Sequence, residues 1–481
     1  MVEETIAAIA TAPGEGGIGI IRISGPEALA VLGRVFVPVQ KKKAACSCDG
    51  GADSSSNADG CDGGNDGFEL APRMMHYGHV YEEGELIDEV MAVYFKAPHS
   101  YTAEDVVEIQ CHGGIVSQRR ILGLVLRKGA RMAEPGEFTK RAFLNGRLDL
   151  SQAEAVIDLI KAKSDKSFDV ALTQLEGGFS AQVKELRAKL VDCLVNISVN
   201  IDYPDEDIEQ LTFDKLSTDL TEIDGGVKKL LSSYDTGRIL SEGLAVCIVG
   251  KPNVGKSSLM NALLRRSRAI VTEIPGTTRD TIEEMMNIRG IPIRLTDTAG
   301  IRKTEDEIER IGIEKSKEAF NNSDLIIYMT DMSRPLTAED MDIMEYAAGR
   351  RVIAVLNKSD LEPAIAEGDV ATHLPDAHII KASLKGGSGI EEIENLIEEM
   401  VYGGQVKQSE AAVVTNVRHK NLLEQADKSL GDAIEMAKLC QPLELLEIDV
   451  NNAYELLGEI IGEEVSGDII DEVFARFCLG K

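Results

Sequence analysis

A chain of 481 residues is long enough for about three domains with cores of their own, and with 43% hydrophobic residues it reads as globular. No apolar run approaches the roughly 18 residues of a membrane helix. The opening MVEETIAAIATAPGEGG has acids where a secretory leader needs a basic flank, so the expected location is the cytoplasm. The formal charge of −30 repels nucleic acid at long range, so an RNA substrate has to be met through local basic patches or a partner protein.

Residues 1–146 read as an α/β domain, with strands in TIAAIAT, GIGIIRIS, MAVYF and VVEIQ. Gly14, Gly16 and Gly19 fit the spacing of a dinucleotide fingerprint. That fingerprint must open a helix, however, and IIRIS reads as a strand; a tight glycine turn is the better reading. Residues 44–67, AACSCDGGADSSSNADGCDGGNDG, form a low-complexity insert too polar to order itself. Its Cys46, Cys48 and Cys61 match no zinc spacing, and eight scattered cysteines read as reduced thiols.

From Ser151 the period becomes helical. Ser151 and Glu154 have the spacing of a capping box, and Ala153, Val156, Ile157 and Ile160 repeat along one face. Helical patterning runs through LVDCLVNISVNI to Tyr203-Pro204 and resumes to about residue 240. A second α/β unit starts at Leu244. Its strands LAVCIVG, LIIYMTD, VIAVLNK and HIIKAS alternate with helices, which predicts a mostly parallel sheet. It ends near Gly403-Gly404, and residues 416–481 are helical again. The economical reading is one helical domain built from both flanks, 147–240 and 406–481, with a nucleotide domain at 241–405 inserted into it.

GKPNVGKS, residues 250–257, is a P-loop in its expected context, after a strand and before the helical SLMNALL. Gly250 and Gly255 let backbone N–H groups wrap phosphates, Lys256 reaches the β/γ-phosphates and Ser257 ligates Mg²⁺. Alone, the motif serves ATP as readily as GTP. The rest of the set selects GTP. GTTRD (276–280) supplies Thr278 to the Mg²⁺ shell. DTAG (297–300) places Asp297 at the end of the strand IRLT and a Gly300 N–H at the γ-phosphate. In NKSD (357–360), Asp360 accepts from guanine N1–H and the 2-amino group that adenine lacks, and Ser383 fits the last base-contacting loop. Together these describe a Ras-like P-loop GTPase. Yet Ile301 stands where Ras-like members carry the glutamine that orients the attacking water, and no arginine finger is evident. Among the acids of IRKTEDEIERIGIEKS, any of Glu305, Asp306, Glu307 or Glu309 can reach such a water, although for each one a solvated helix face is the simpler reading.

GKPNVGKSS, IPGTTRD, DTAGIR…ERIGIE and the terminal FCLGK, with the opening TIAAIATAPGEGGIGIIRISG and PGEFTKRAFLNGRLDL, resemble the MnmE (TrmE) family of tRNA-modification GTPases. The likeness spans nearly the whole chain except the insert. It implies a potassium-stimulated GTPase activated by dimerisation, with an N-terminal domain that binds tetrahydrofolate and dimerises. The implied GTP contacts are Asn253, Val254, Gly255, Lys256, Ser257 and Ser258. To these it adds Thr272, Glu273, Ile274, Pro275, Gly276, Thr277 and Thr278; Asp297, Thr298, Ala299 and Gly300; and Asn357, Lys358, Asp360 and Ser383. Mg²⁺ falls to Ser257 and Thr278. Potassium, replacing the arginine finger, falls to Asn253, Thr272, Ile274 and Thr277, with Ile274 contributing its carbonyl. Glu309 becomes the catalytic acid.

The resemblance also assigns a 5-formyl- or 5,10-methylene-tetrahydrofolate to Arg22, Glu108, Arg147 (a lysine in the family) and Lys481. Read without it, Arg22 and Glu108 pass for ordinary surface charges. With an FAD-containing partner of the MnmG (GidA) type, such a homodimer would add an aminomethyl or carboxymethylaminomethyl group to C5 of the wobble uridine, position 34, of certain tRNAs. Cys478, with Arg476 nearby in sequence to lower its pKa, has either a covalent role at uridine C6 or a bystander's place near the folate. A prenylation box does not fit, because Gly480-Lys481 is a poor ending for one. One rival is a ribosome-assembly GTPase, but no KH-like GXXG segment sits in a basic setting; a second is a folate enzyme with a vestigial GTPase, against which the intact nucleotide motifs count.

Overall fold

The computed structural model describes residues 4–39, 68–202, 212–266, 283–297, 320–403, 413–463 and 465–481. The chain forms two compact units, Met1–Glu154 with Glu464–Lys481, and Ala155–Glu463.

The first unit is built on β1 (Ile6–Ile9), β2 (Ile18–Ser24), β3 (Phe36–Pro38), β4 (Met75–Glu82), β5 (Glu85–Phe95), β6 (Val106–His112) and β7 (Arg131–Met132). They order as β3-β4-β5-β6-β2-β1-β7, antiparallel except for β1 and β7. MAVYF is thus the end of an 11-residue strand, and β3, β4 and β7 add to the strands read from the sequence. Alternation along β2 sends Ile21 and Ile23 into a core shared with α1 (Ala28–Gly33) and α2 (Ile115–Arg127), whose Ile121, Leu124 and Val125 are buried. On the other side Ile6 and Ala8 meet Phe138 of α3 (Glu137–Leu144). Glu137, the first residue of α3, accepts from Arg131 Nη1 at 2.8 Å, Arg141 Nη2 at 3.0 Å and the Glu134 N–H at 2.8 Å.

The helix read from Ser151 is α4 (Leu150–Lys161), but its cap lies two residues earlier than expected, at Asp149. The Asp149 carboxylate accepts from the Gln152 N–H at 3.0 Å, and Gln152 Oε1 accepts from the Asp149 N–H at 2.9 Å. Leu150, fully buried, takes the first helical position, so Ser151 and Glu154 fall inside the helix.

In the second unit the helical patterning expected on either side of Tyr203-Pro204 is divided into α5 (Asp165–Leu175) and α6 (Gly178–Asp202) before it and α7 (Phe213–Ser232) and α8 (Tyr234–Glu242) after it. Strands β8 (Leu244–Val249), β9 (Glu283–Ile288), β10 (Ile291–Asp297), β11 (Leu325–Asp331), β12 (Val352–Asn357) and β13 (His378–Lys381) order as β13-β12-β11-β8-β10-β9. All pairs are parallel except β9 with β10. The helices α9 (Lys256–Arg266), α10 (Ala338–Ala347), α11 (Glu367–Ala371) and α12 (Ile390–Tyr402) belong to the same α/β segment, and the sheet's two faces carry separate cores. Strands β8, β11 and β12 are buried at every position, as a parallel sheet covered on both faces requires.

Two further helices, α13 (Val417–Lys438) and α14 (Leu443–Ile461), share one apolar core with α6 and α7 across the intervening sheet segment. Leu190, Leu220, Leu430 and Leu457 are fully buried there, each worth about 1.5–3 kcal/mol. The last helix, α15 (Gly467–Ala475), departs from the expected 406–481 grouping. It joins the first unit, where Phe474 lies against Phe143 and Phe477 with ring centroids 6.3 and 5.2 Å apart. Residues 147–154 group with the first unit as well. Helical periodicity identifies a helix but not the core that receives it.

Candidate nucleotide site and candidate folate cavity

Strand β8 is buried at every position and ends at Val249, so the chain must turn sharply to leave the sheet. It does so through left-handed backbone: φ is 145° at Gly250, 65° at Asn253 and 113° at Gly255. The glycines are also required by space. A Cβ on Gly250 would lie 2.2 Å from the Met329 carbonyl oxygen, and one on Gly255 would lie 2.3 Å from Asn357 Nδ2. Helix α9 begins at once, with Ser257 and Ser258 exposed in its first turn, where unpaired N–H groups and the helix dipole favour an anion. Lys256 Nζ donates to the carbonyls of Gly250, at 2.5 Å, and Lys251, at 2.9 Å, which places its ammonium over the loop.

The base-reading end comes from the neighbouring strands. Asn357, at the end of β12, donates from Nδ2 to the Val254 carbonyl at 2.7 Å and accepts from the Leu384 N–H at 3.3 Å. It is a buried bolt between the P-loop and the loop of Ser383. Ser383 Oγ donates to Asp360 Oδ1 at 2.6 Å. That hydroxyl, followed by a backbone N–H, holds the exposed Asp360 carboxyl below the usual range, so it is ionised and able to accept from a base edge. Asn253, Val254, Gly255, Lys256, Ser257, Ser258, Asn357, Lys358, Asp360 and Ser383 are thereby gathered around one loop cluster. Strand β10 ends at Asp297 and pairs in parallel with β8. The expected roles of Thr272, Glu273, Ile274, Pro275, Gly276, Thr277, Thr278, Thr298, Ala299, Gly300 and Glu309 fall outside the described residues, as do Cys46, Cys48 and Cys61.

The second candidate lies in the first unit. Register pairs Arg22 on β2 with Glu108 on β6, and both Nε and Nη2 of Arg22 lie 2.9 Å from Glu108 Oε1. These are not the surface charges they resemble in sequence. Both side chains are largely buried, and Arg22 Nη1 is buried with no hydrogen-bond partner. A cavity of about 350 Å³ beside them is lined by Glu108, Arg147, Tyr101 and Arg73 with Phe95 and Val106. Tyr101 is the residue that sequence reading missed. Arg22 and Arg147 each set a guanidinium carbon over its ring, at 5.1 and 4.9 Å from the centroid, and Arg147 also donates to the Tyr101 carbonyl at 2.9 Å.

Lys481 is brought to the same place by the last turn of chain. Gly480 has φ 88°, and a Cβ there would lie 2.1 Å from the Ile9 carbonyl oxygen. Burial, then the like charge of Arg22, pushes the Lys481 ammonium below its ordinary pKa. Cys478 is exposed. The guanidinium of Arg476, expected to serve it, is instead paired with Glu472 at 2.7 Å.

A glycine-rich loop between a buried parallel strand and a helix, joined to an Asn-Lys-x-Asp loop and a serine backing the aspartate, defines a guanine-nucleotide-binding P-loop protein. The MnmE helical domain family matches residues 150–478, and the family described as the GTP-binding protein TrmE N-terminus matches residues 5–147. The chain is 52% identical over 482 residues to the tRNA modification GTPase MnmE of Alkaliphilus metalliredigens, covering 100% of both. It is 48% identical over 480 residues to that of Clostridioides difficile, again covering 100% of both. The chain belongs to the MnmE family, GTP hydrolases that take part in tRNA modification.

Proposed function

We propose that this chain is a potassium-stimulated GTPase, activated when two copies pair, that works in the cytoplasm with an FAD-containing partner of the MnmG (GidA) type. Together they add an aminomethyl or carboxymethylaminomethyl group to C5 of the wobble uridine (position 34) of certain tRNAs, using a tetrahydrofolate one-carbon unit. The observation that carries the GTPase part is the ionised, exposed Asp360 backed by Ser383, on a loop bolted to the P-loop through Asn357. A carboxylate so placed accepts from guanine and rejects adenine.

Mg²⁺ suits the exposed Ser257 in the first turn of α9, with Thr278 as the other protein ligand. Potassium would be held by Asn253, Thr272, Ile274 and Thr277. Asn253 fits in being exposed on a left-handed turn of the loop that surrounds the phosphates. When bound, the ion supplies the positive charge that an arginine finger otherwise brings. Glu309 would orient the attacking water. In the first unit the cavity lined by Glu108, Arg147 and Tyr101 supports a polar, ring-bearing ligand, with Arg22 fixing Glu108 from behind. Glu108 suits an amino-substituted heterocycle edge, while Arg147 and Lys481 suit carboxylates. Cys478 is exposed and in the same terminal turn as Lys481, so a thiol role near that ligand is kept within the proposal.

The test is GTP turnover in potassium against sodium, with Glu309→Ala beside the native chain. Strong stimulation by potassium and near-complete loss of hydrolysis in the variant, with nucleotide still bound, are the expected results. Equal rates in both salts defeat the charge-substitution part, and an active Glu309→Ala defeats the assignment of the acid.

A further inference from the structure

We propose that Asp331, at the end of β11, is a positioning residue that sets how long a guanine nucleotide stays bound, by holding the Lys358 ammonium in place before the nucleotide arrives. This rests on the nucleotide-site reading above and extends it to a residue outside the recognised motifs.

Strands β11 and β12 pair in parallel so that Asp331 lies beside Asn357, and the Met332 N–H donates to the Asn357 carbonyl at 2.9 Å. This register brings Asp331 next to the start of the base-reading loop. Lys358 Nζ lies 2.6 Å from Asp331 Oδ2. The other carboxylate oxygen accepts from Ser333, from N at 3.0 Å and from Oγ at 2.7 Å. Asp331 is 6% exposed. Burial alone would push its carboxyl up, but the bonds from Lys358 and Ser333 outweigh that and hold it below the ordinary range. The acid is therefore ionised and oriented from both sides. Arg334 Nε, 3.6 Å away on an exposed side chain, is a secondary neighbour.

Lys358 needs this support. Its φ of 65° is a left-handed conformation that a side-chain-bearing residue seldom adopts. Its four-carbon stem would otherwise be free to sample many rotamers and would lose that freedom each time a nucleotide bound. An ammonium already fixed by a buried carboxylate removes the ordering cost from the binding step, which is preorganisation. The effect belongs in the release rate, as most affinity differences within one site do. Selection of guanine stays with Asp360 and Ser383, on the other side of the loop.

The experiment measures release of N-methylanthraniloyl-GDP from the full chain by stopped flow. Asp331→Asn is expected to speed release about tenfold, Lys358→Met by a similar factor, and the double variant by no more than about twice either single change, because both remove one interaction. The preference for GDP over IDP should be unchanged in Asp331→Asn.

Unchanged release in Asp331→Asn, or single factors that multiply toward about a hundredfold in the double variant, would each overturn the proposal. Should Asp331→Asn not fold, Asp331→Ser takes its place in the same cycle with Lys358→Met. A native chain that holds no GDP overturns the nucleotide-site reading and this inference together, whereas tight native binding with unmoved variants overturns only the inference.

Discussion

The P-loop cluster of the second unit and the Tyr101 cavity of the first are built by opposite means. Around Gly250, Asn253, Gly255 and Lys358 the backbone carries the geometry, through four left-handed residues within two short stretches of chain. Around Tyr101 the side chains carry it, with contacts contributed by Arg22, Glu108 and Arg147, which are far apart in sequence. Phosphates can be gripped by N–H groups, which any loop possesses once glycine lets it curl. An amino-substituted ring is gripped by particular side chains, and these meet only after strands have found their register.

The contrast can be broken most sharply at Gly250. Gly250→Ala sets a Cβ 2.2 Å from a main-chain oxygen at φ 145°, so nucleotide affinity should fall by more than about a hundredfold. Calorimetry with GDP and with 5-formyltetrahydrofolate on the same variant checks this. Loss of both ligands would show that the two sites are not independent.

A smaller effect is expected at Glu137. Burial raises its carboxyl, but the bonds from Arg131, the Glu134 N–H and Arg141 win, holding it at about 2. A depressed carboxylate contributes stability that is fully present above its unfolded value of about 4.5 and is lost as pH falls through about 2. Glu137→Gln should cost about 2 kcal/mol at neutral pH. In urea melts the gap from native should narrow as pH drops from 5 toward 3; a gap independent of pH would mean that packing, not charge, is what the glutamate supplies.

The smallest effect sharpens the comparison. Tyr101→Leu removes the ring beneath both guanidiniums and should weaken 5-formyltetrahydrofolate about tenfold, while Tyr101→Phe stays within about threefold. GTP turnover should not move in either. Equal affinity for Leu and Phe would leave the ring no part in the site.

Legibility in the sequence follows the same division. GKPNVGKS and NKSD could be read because their chemistry is local, and the buried strands β8, β11 and β12 announce themselves as unbroken apolar runs. Strand β9, Glu283–Ile288, was not legible. Its EEMMNI carries little β-branched character and owes its pairing to β10. Asp331 looks like any acid closing a strand until register sets it beside Asn357. Asp149 and Ser151 both begin a plausible capping box, and burial of Leu150 decides between them. Arg22 and Glu108 gain meaning only as neighbours across two antiparallel strands.

The placement of α15 has a temporal consequence. The sheet of the first unit is made from the start of the chain, yet its terminal helix and the turn that presses Gly480 against Ile9 are translated after the whole of Ala155–Glu463. At ribosomal speeds those roughly 300 intervening residues take about 15–60 s to appear. Through that interval the strands of the first unit lack α15, and the Arg22–Glu108 pair gains the neighbouring charge of Lys481 only after those residues have been made.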